Sequence, residues 1–138
     1  MSTKAKILAI ESDVPFAMFL IELLRDECEV EVATTVKKGM QMVETENFDL
    51  ITLDVDLPDG NGFELCSRLK QHSRLCDTPI IFVSGRCTLE DQQRGLDVGA
   101  ADYITKPFET FEFVTRLLSH IKAKPGSDFI AISENAKG

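Results

Sequence analysis

Residues 50–65 read LITLDVDLPDGNGFEL, a stretch that changes character twice. Leu50, Ile51, Thr52 and Leu53 form a short apolar run without polar alternation, the pattern of a strand covered on both faces in a parallel sheet. Asp54 ends that run with a charge, and a charge in such surroundings needs a partner. Pro58, Asp59 and Gly60 then supply turn chemistry. Beyond them Phe63, Leu65, Cys66 and Leu69 recur at helical spacing. The stretch is therefore a strand, an acidic turn and a helix, one βα unit.

Four more units flank it. Apolar runs at 7–10, 30–33, 80–83 and 103–105 read as strands. Helical faces follow each: Phe16, Leu20, Leu23 and Leu24; Val36, Met40 and Val43; Leu89, Leu96 and Val98; Phe111, Val114, Leu117, Leu118 and Ile121. Gly99 stands where a helix would end, and Pro79 and Pro107 lie outside the periodic segments. Five alternating units predict an α/β domain, a doubly wound parallel sheet with helices on both faces. We assign residues 1–124 to this domain and 125–138 to a linker or tail, in which Phe129 to Ile132 could dock.

Bulk properties narrow the function. The 138 residues suit one domain, and 43% hydrophobic with 28% charged residues is ordinary for a globular protein. No apolar run approaches the roughly 20 residues of a membrane helix, and the first residues lack the pattern of a secretory signal. The net charge of −8 argues against direct nucleic-acid binding, which needs clustered Lys and Arg. Four cysteines, at 28, 66, 76 and 87, form no CxxC pair and read as reduced, small hydrophobes in a cytoplasmic protein.

Ligands in open parallel sheets bind beyond the carboxyl ends of the strands, so those ends carry the candidate chemistry. Strand one runs into Glu11, Ser12 and Asp13; strand three into Asp54, Val55 and Asp56; strand four into Ser84 and Gly85; strand five into Lys106 and Pro107. Each has a structural reading too. The three residues after strand one could cap the helix that follows, Asp56 and Lys106 could be solvated, and Tyr103 could be a packed aromatic. Together, an acidic cluster with a lysine suits phosphoryl transfer, because a divalent cation such as Mg²⁺ relieves the repulsion among carboxylates.

The segments LDVDLPDGNGFEL (53–65), PIIFVSG (79–85) and GAADYITKPF (99–108) resemble, in order and spacing, the third-, fourth- and fifth-strand motifs of receiver domains in bacterial two-component response regulators. The resemblance spans about residues 4–122. It implies a flavodoxin-like (βα)5 sheet of strand order 2-1-3-4-5, with Asp54 as phosphoacceptor and Ser84 and Lys106 assisting. It further implies a Ser84–Tyr103 switch, a cis candidate at Pro107, and Mg²⁺ held by Glu11, Asp54 and the main-chain carbonyl of Asp56. The implied function is a signalling switch that takes its phosphoryl group from a sensor histidine kinase or phosphotransfer protein. Such a domain catalyses only its own phosphorylation and dephosphorylation.

One departure stands out. Receiver domains end strand one in two adjacent acids, whereas here the pair is Glu11 and Ser12. Ser12 or Asp13 would have to serve at the metal, so weak Mg²⁺ binding is expected. The alternative function is a degenerate receiver, an interaction module that works without phosphorylation. A nucleotide-binding enzyme of the same fold is disfavoured by the absence of a GxxxxGK[ST] loop. The expected contact surface, for a homodimer, is helix four, strand five and helix five, where Glu90, Asp91, Arg94, Asp97, Glu112 and Arg116 mix both signs of charge.

Overall fold

The apolar runs pair as parallel strands in the computed structural model, which describes residues 4–121. Strands β1 (Ala5–Ile10), β2 (Cys28–Ala33), β3 (Leu50–Leu53), β4 (Ile80–Ser84) and β5 (Asp102–Thr105) form one sheet of order 2-1-3-4-5. Helices α1 (Val14–Leu24), α2 (Val36–Thr45), α3 (Gly62–Gln71) and α4 (Leu89–Asp97) connect them, and α5 (Thr110–His120) follows the last. A short antiparallel ladder, Asp56–Leu57 with Gly60–Asn61, folds the turn after β3. The candidate docking segment from Phe129 to Ile132 lies outside the described residues.

Strand periodicity divides the core into two layers. Leu8, Ile10, Ile51, Leu53, Ile80, Phe82 and Tyr103 pack with Val43 of α2 and Phe63 and Leu65 of α3. Their strand neighbours Ile7, Ala9, Leu50, Ile81, Val83 and Ile104 face the other way, against Leu20 and Leu24 of α1 and Phe113 and Leu117 of α5. Each fully buried Leu, Ile or Phe contributes roughly 1.5–3 kcal/mol over an exposed one, so both layers stabilise the sheet they sandwich.

Local chemistry sets the helix ends. Asp13, Thr35, Asn61, Thr88 and Glu109 each cap a helix by accepting a backbone N–H with the side chain. The start of α2 receives a second cap from far along the chain: Asp59 accepts from Val36 N at 2.7 Å and Lys37 N at 3.0 Å. Gly99 follows α4 at φ +106°, the left-handed conformation that glycine adopts without a Cβ penalty.

Three apolar residues expected on buried helical faces are exposed instead: Leu89, Leu96 and Phe111. In α4 the residue facing the sheet is Gly95, where a Cβ would lie 2.7 Å from the Tyr103 ring. The helix thus approaches by its backbone and leaves its leucines on the flank. In α5 the buried pair is Phe113 and Leu117, four residues apart, and Phe111 falls on the opposite side. All four cysteines are free of disulfides, and two of them are the buried small hydrophobes expected. Cys28 and Cys66 are buried, and burial pushes their thiols up to about 12 and about 11; Cys76 and Cys87 are exposed.

Candidate functional site

Strand register brings the candidate residues to one edge. Ile10 pairs with Leu53, and Leu53 with Phe82, so Glu11 and Asp54 emerge side by side where β1 and β3 end. Asp54 N–H donates to Ile10 O at 3.0 Å, which continues the ladder one step beyond the strand. Behind the acid sits Gly62, at the start of α3. A Cβ there would lie 2.2 Å from the Asp54 carbonyl oxygen and 2.9 Å from Val55 Cα, so no side chain fits.

Lys106 closes the cluster from β5. Its ammonium donates to Glu11 Oε1 at 2.7 Å and Asp54 Oδ2 at 3.1 Å, and lies 4.1 Å from the centre of the Phe16 ring. The Lys106–Pro107 peptide bond is cis. Glu11 is only 3% exposed and also accepts from Asp13 N–H at 3.0 Å. Burial pushes the Glu11 carboxyl above its ordinary range, against the pull of Lys106 and of the Asp13 N–H. Burial also acts to lower the Lys106 ammonium, but Glu11 and Asp54 outweigh it and hold the lysine charged. The second Asp54 oxygen, Oδ1, accepts from Val55 N–H at 2.6 Å.

Ser84 ends β4 with no solvent exposure, and its Oγ accepts from Arg86 N–H at 3.2 Å. Tyr103 lies in the core beside Phe82, ring centres 5.6 Å apart, and its hydroxyl donates to Arg86 O at 2.6 Å. The aromatic expected to turn inward is already inside. Burial raises its phenol above the usual value, with the Ser84 hydroxyl opposing.

The acids near the site divide by commitment. Asp13 accepts from Phe16 N–H as the α1 cap, the structural role weighed for it in the sequence. Asp56 directs its carboxylate to Arg86, taking Nη2 at 2.8 Å and Nε at 3.1 and 3.0 Å. No group of three or more His, Cys, Asp and Glu side chains is arranged as a metal site among the described residues. Of the residues expected at a cation, the structure brings together two carboxylates, Glu11 and Asp54, both bridged by Lys106. This fits Mg²⁺, which takes one or two carboxylates and completes its shell with water.

Two features escaped the sequence reading. Arg86 has a signal in hindsight: it stands two residues past Ser84 as Asp56 stands two past Asp54, on neighbouring strands. The second is a cluster on α5, where Arg116 donates through Nε and Nη2 to Asp102, and His120 Nε2 lies 3.2 Å from the same carboxylate. Arg116, expected to pair across a dimer axis, is thus occupied within the chain. Arg94 is likewise engaged, its guanidinium 4.6 Å from the Phe63 ring centre.

Comparison with known proteins gives a consistent picture. The family described as response regulator receiver domain matches residues 7–118. The response regulator ArlR of Staphylococcus haemolyticus is 38% identical over 128 residues, 92% of this chain and 57% of that protein. The chain therefore spans little more than half the length of that relative. A response regulator from Chloroflexus aurantiacus superposes with a TM-score of 0.81 at 30% identity, covering 85% of this chain and 97% of that one. The non-phosphorylated HemR receiver domain of Leptospira biflexa does so at 0.78 and 35%, covering 88% and 97%. With the sheet order, the edge cluster and these likenesses in agreement, the chain belongs to the response regulator receiver domains, the phosphorylation-dependent switches of two-component signalling.

Proposed function

We propose that Asp54 is the residue phosphorylated, that a sensor histidine kinase or phosphotransfer protein supplies the phosphoryl group, and that the altered face is α4, β5 and α5. The observation that carries this reading is the Lys106 bridge between Glu11 and Asp54 at the end of β3. A nucleophilic oxygen of Asp54 forms a bond to phosphorus as the bond to the donor breaks, and the departing group keeps the electron pair. Lys106 is already charged and within reach, so its ammonium can follow the negative charge from the carboxylate to the transferred phosphoryl oxygens. Mg²⁺, held by Glu11, Asp54, the Asp56 carbonyl and Ser12, would neutralise charge on the incoming group.

Ser84 Oγ accepts from Arg86 N–H at 3.2 Å, and in this reading its hydroxyl turns toward a phosphoryl oxygen. The domain acts on its own aspartate and turns over no separate substrate. No helix among the described residues is long and apolar enough to cross a membrane. The exposed thiols of Cys76 and Cys87 suit a reducing compartment, and we place the protein in the cytoplasm. An activated homodimer through α4, β5 and α5 would need Arg116 to exchange Asp102 for a partner's acid, or the exposed Leu89 and Leu96 to meet across the axis.

Incubation with Mg²⁺ and acetyl phosphate, followed by intact mass, tests the assignment. One phosphoryl group is expected on the wild type and none on Asp54→Ala. Phosphate persisting in that variant would overturn it. A wild type that takes no phosphate, with rescue in Ser12→Asp, would support the unphosphorylated interaction module.

A further inference from the structure

We infer that Arg86 is a positioning residue that clamps Tyr103 in its buried setting through the ion pair with Asp56, so that the ring-inward arrangement is reached before any phosphoryl group arrives. The inference rests on the Ser84–Tyr103 switch that the family resemblance implies, but its geometry stands independently. Arg86 touches every moving part. Its N–H holds the Ser84 hydroxyl, its carbonyl receives the Tyr103 hydroxyl at 2.6 Å, and its guanidinium grips both oxygens of Asp56. The loop after β4 is thereby tied to the loop after β3, two residues beyond Asp54.

Two further observations support the clamp. The ion pair is solvent-exposed, with side chains 49% and 65% accessible, so it adds little to global stability and its effect falls on where the two loops sit. Opposite the clamp, Gly95 lets α4 close over the ring; a Cβ there would be 2.7 Å from Tyr103 and 3.0 Å from Phe82. The ring is thus held at its hydroxyl by Arg86 and covered on its face by α4. Because the hold on the Tyr103 hydroxyl does not need Ser84 to move, the ion pair sets how far the switch is already thrown in the resting chain.

The test uses the sequence itself, which contains one tyrosine and no tryptophan, so tyrosine fluorescence reports Tyr103 alone. Acrylamide, an uncharged quencher, is titrated into the full chain without Mg²⁺ or phosphodonor, so the result does not depend on whether Asp54 is phosphorylated. Wild type should be poorly quenched. Arg86→Ala and Asp56→Asn, which leave both main chains intact, should each raise the quenching constant about twofold or more. Salt at about 1 M should raise it in wild type and leave Arg86→Ala unchanged, a response that a packing role would not give. Should Arg86→Ala fail to fold by circular dichroism, Asp56→Asn and the salt series carry the test. Quenching that is the same in folded single variants and wild type, or that rises in Arg86→Ala while Asp56→Asn stays as wild type, overturns the clamp.

Discussion

Two clusters in this domain have the same ingredients and opposite fates. Lys106 meets Glu11 at 2.7 Å and Asp54 at 3.1 Å, with Phe16 beside the ammonium; Lys6 meets Glu46 at 2.7 Å and Glu31 at 3.0 Å, with Phe48 beside it. Distances barely separate them. Location does: the first sits where β1, β3 and β5 end, its carboxylates 4% and 13% exposed, and the second is on β1 near its start, with carboxylates 31% and 36% exposed. Water screens the Lys6 group, whereas the Lys106 group must satisfy its charges internally. Composition at a site thus says less about reactivity than the dielectric around it.

The sharpest test of this contrast removes each lysine. Lys106→Met should slow phosphorylation by acetyl phosphate about 100-fold, since in the proposed reaction it deletes the charge that meets the transferred group. Lys6→Met should leave the rate as in wild type. Equal rates in the two variants would erase the distinction between the clusters.

A second test presses on the buried cluster from behind. Gly62→Ala forces a Cβ into the Asp54 carbonyl, and overpacking against backbone should destabilise the fold by about 2–3 kcal/mol in urea melts. An unchanged midpoint would mean that the main chain at Asp54 can shift, and that the acid is not held where it is described.

The subtlest test is the sign of a pH slope. Burial raises the Glu11 carboxyl above its ordinary 4.5, so its contribution to stability is present at low pH and lost as pH rises through the raised value. Glu46 is lowered from 4.5 by the hydrogen bond from Lys6, so its contribution is present above that value and lost as pH falls through the lowered one. Stability differences between wild type and Glu11→Gln, and between wild type and Glu46→Gln, should therefore run in opposite directions with pH. Parallel slopes would show that both carboxyls see the same environment.

The two clusters also mark what could be read in advance. Asp54 was legible because an apolar run that ends in a charge is unusual, and strand-end logic gathered Glu11, Ser84 and Lys106 with it. The strand order followed from the resemblance; β3 has the expected bounds, and the other four strands each extend one or two residues further at one end. Leu89, Leu96 and Phe111 were misplaced because periodicity identifies an apolar stripe without saying which helix approaches the sheet through a glycine. Arg86 stayed hidden because its partner is 30 residues away, and only the register of neighbouring strands brings the two loops together.

The reach of Asp59 back to the first turn of α2 has a consequence for how the chain assembles. A helix normally takes its first-turn partners from the residues just before it, as Thr35 does here for Lys38. The amides of Val36 and Lys37 are met instead by a carboxylate that is synthesised 23 and 22 residues later, on the turn that follows β3. These two bonds close a nonlocal contact, with loop-closure entropy set against it, so they are expected to form late. In hydrogen exchange, the protection of those two amides would act as a clock for the closing of the turn that follows Asp54.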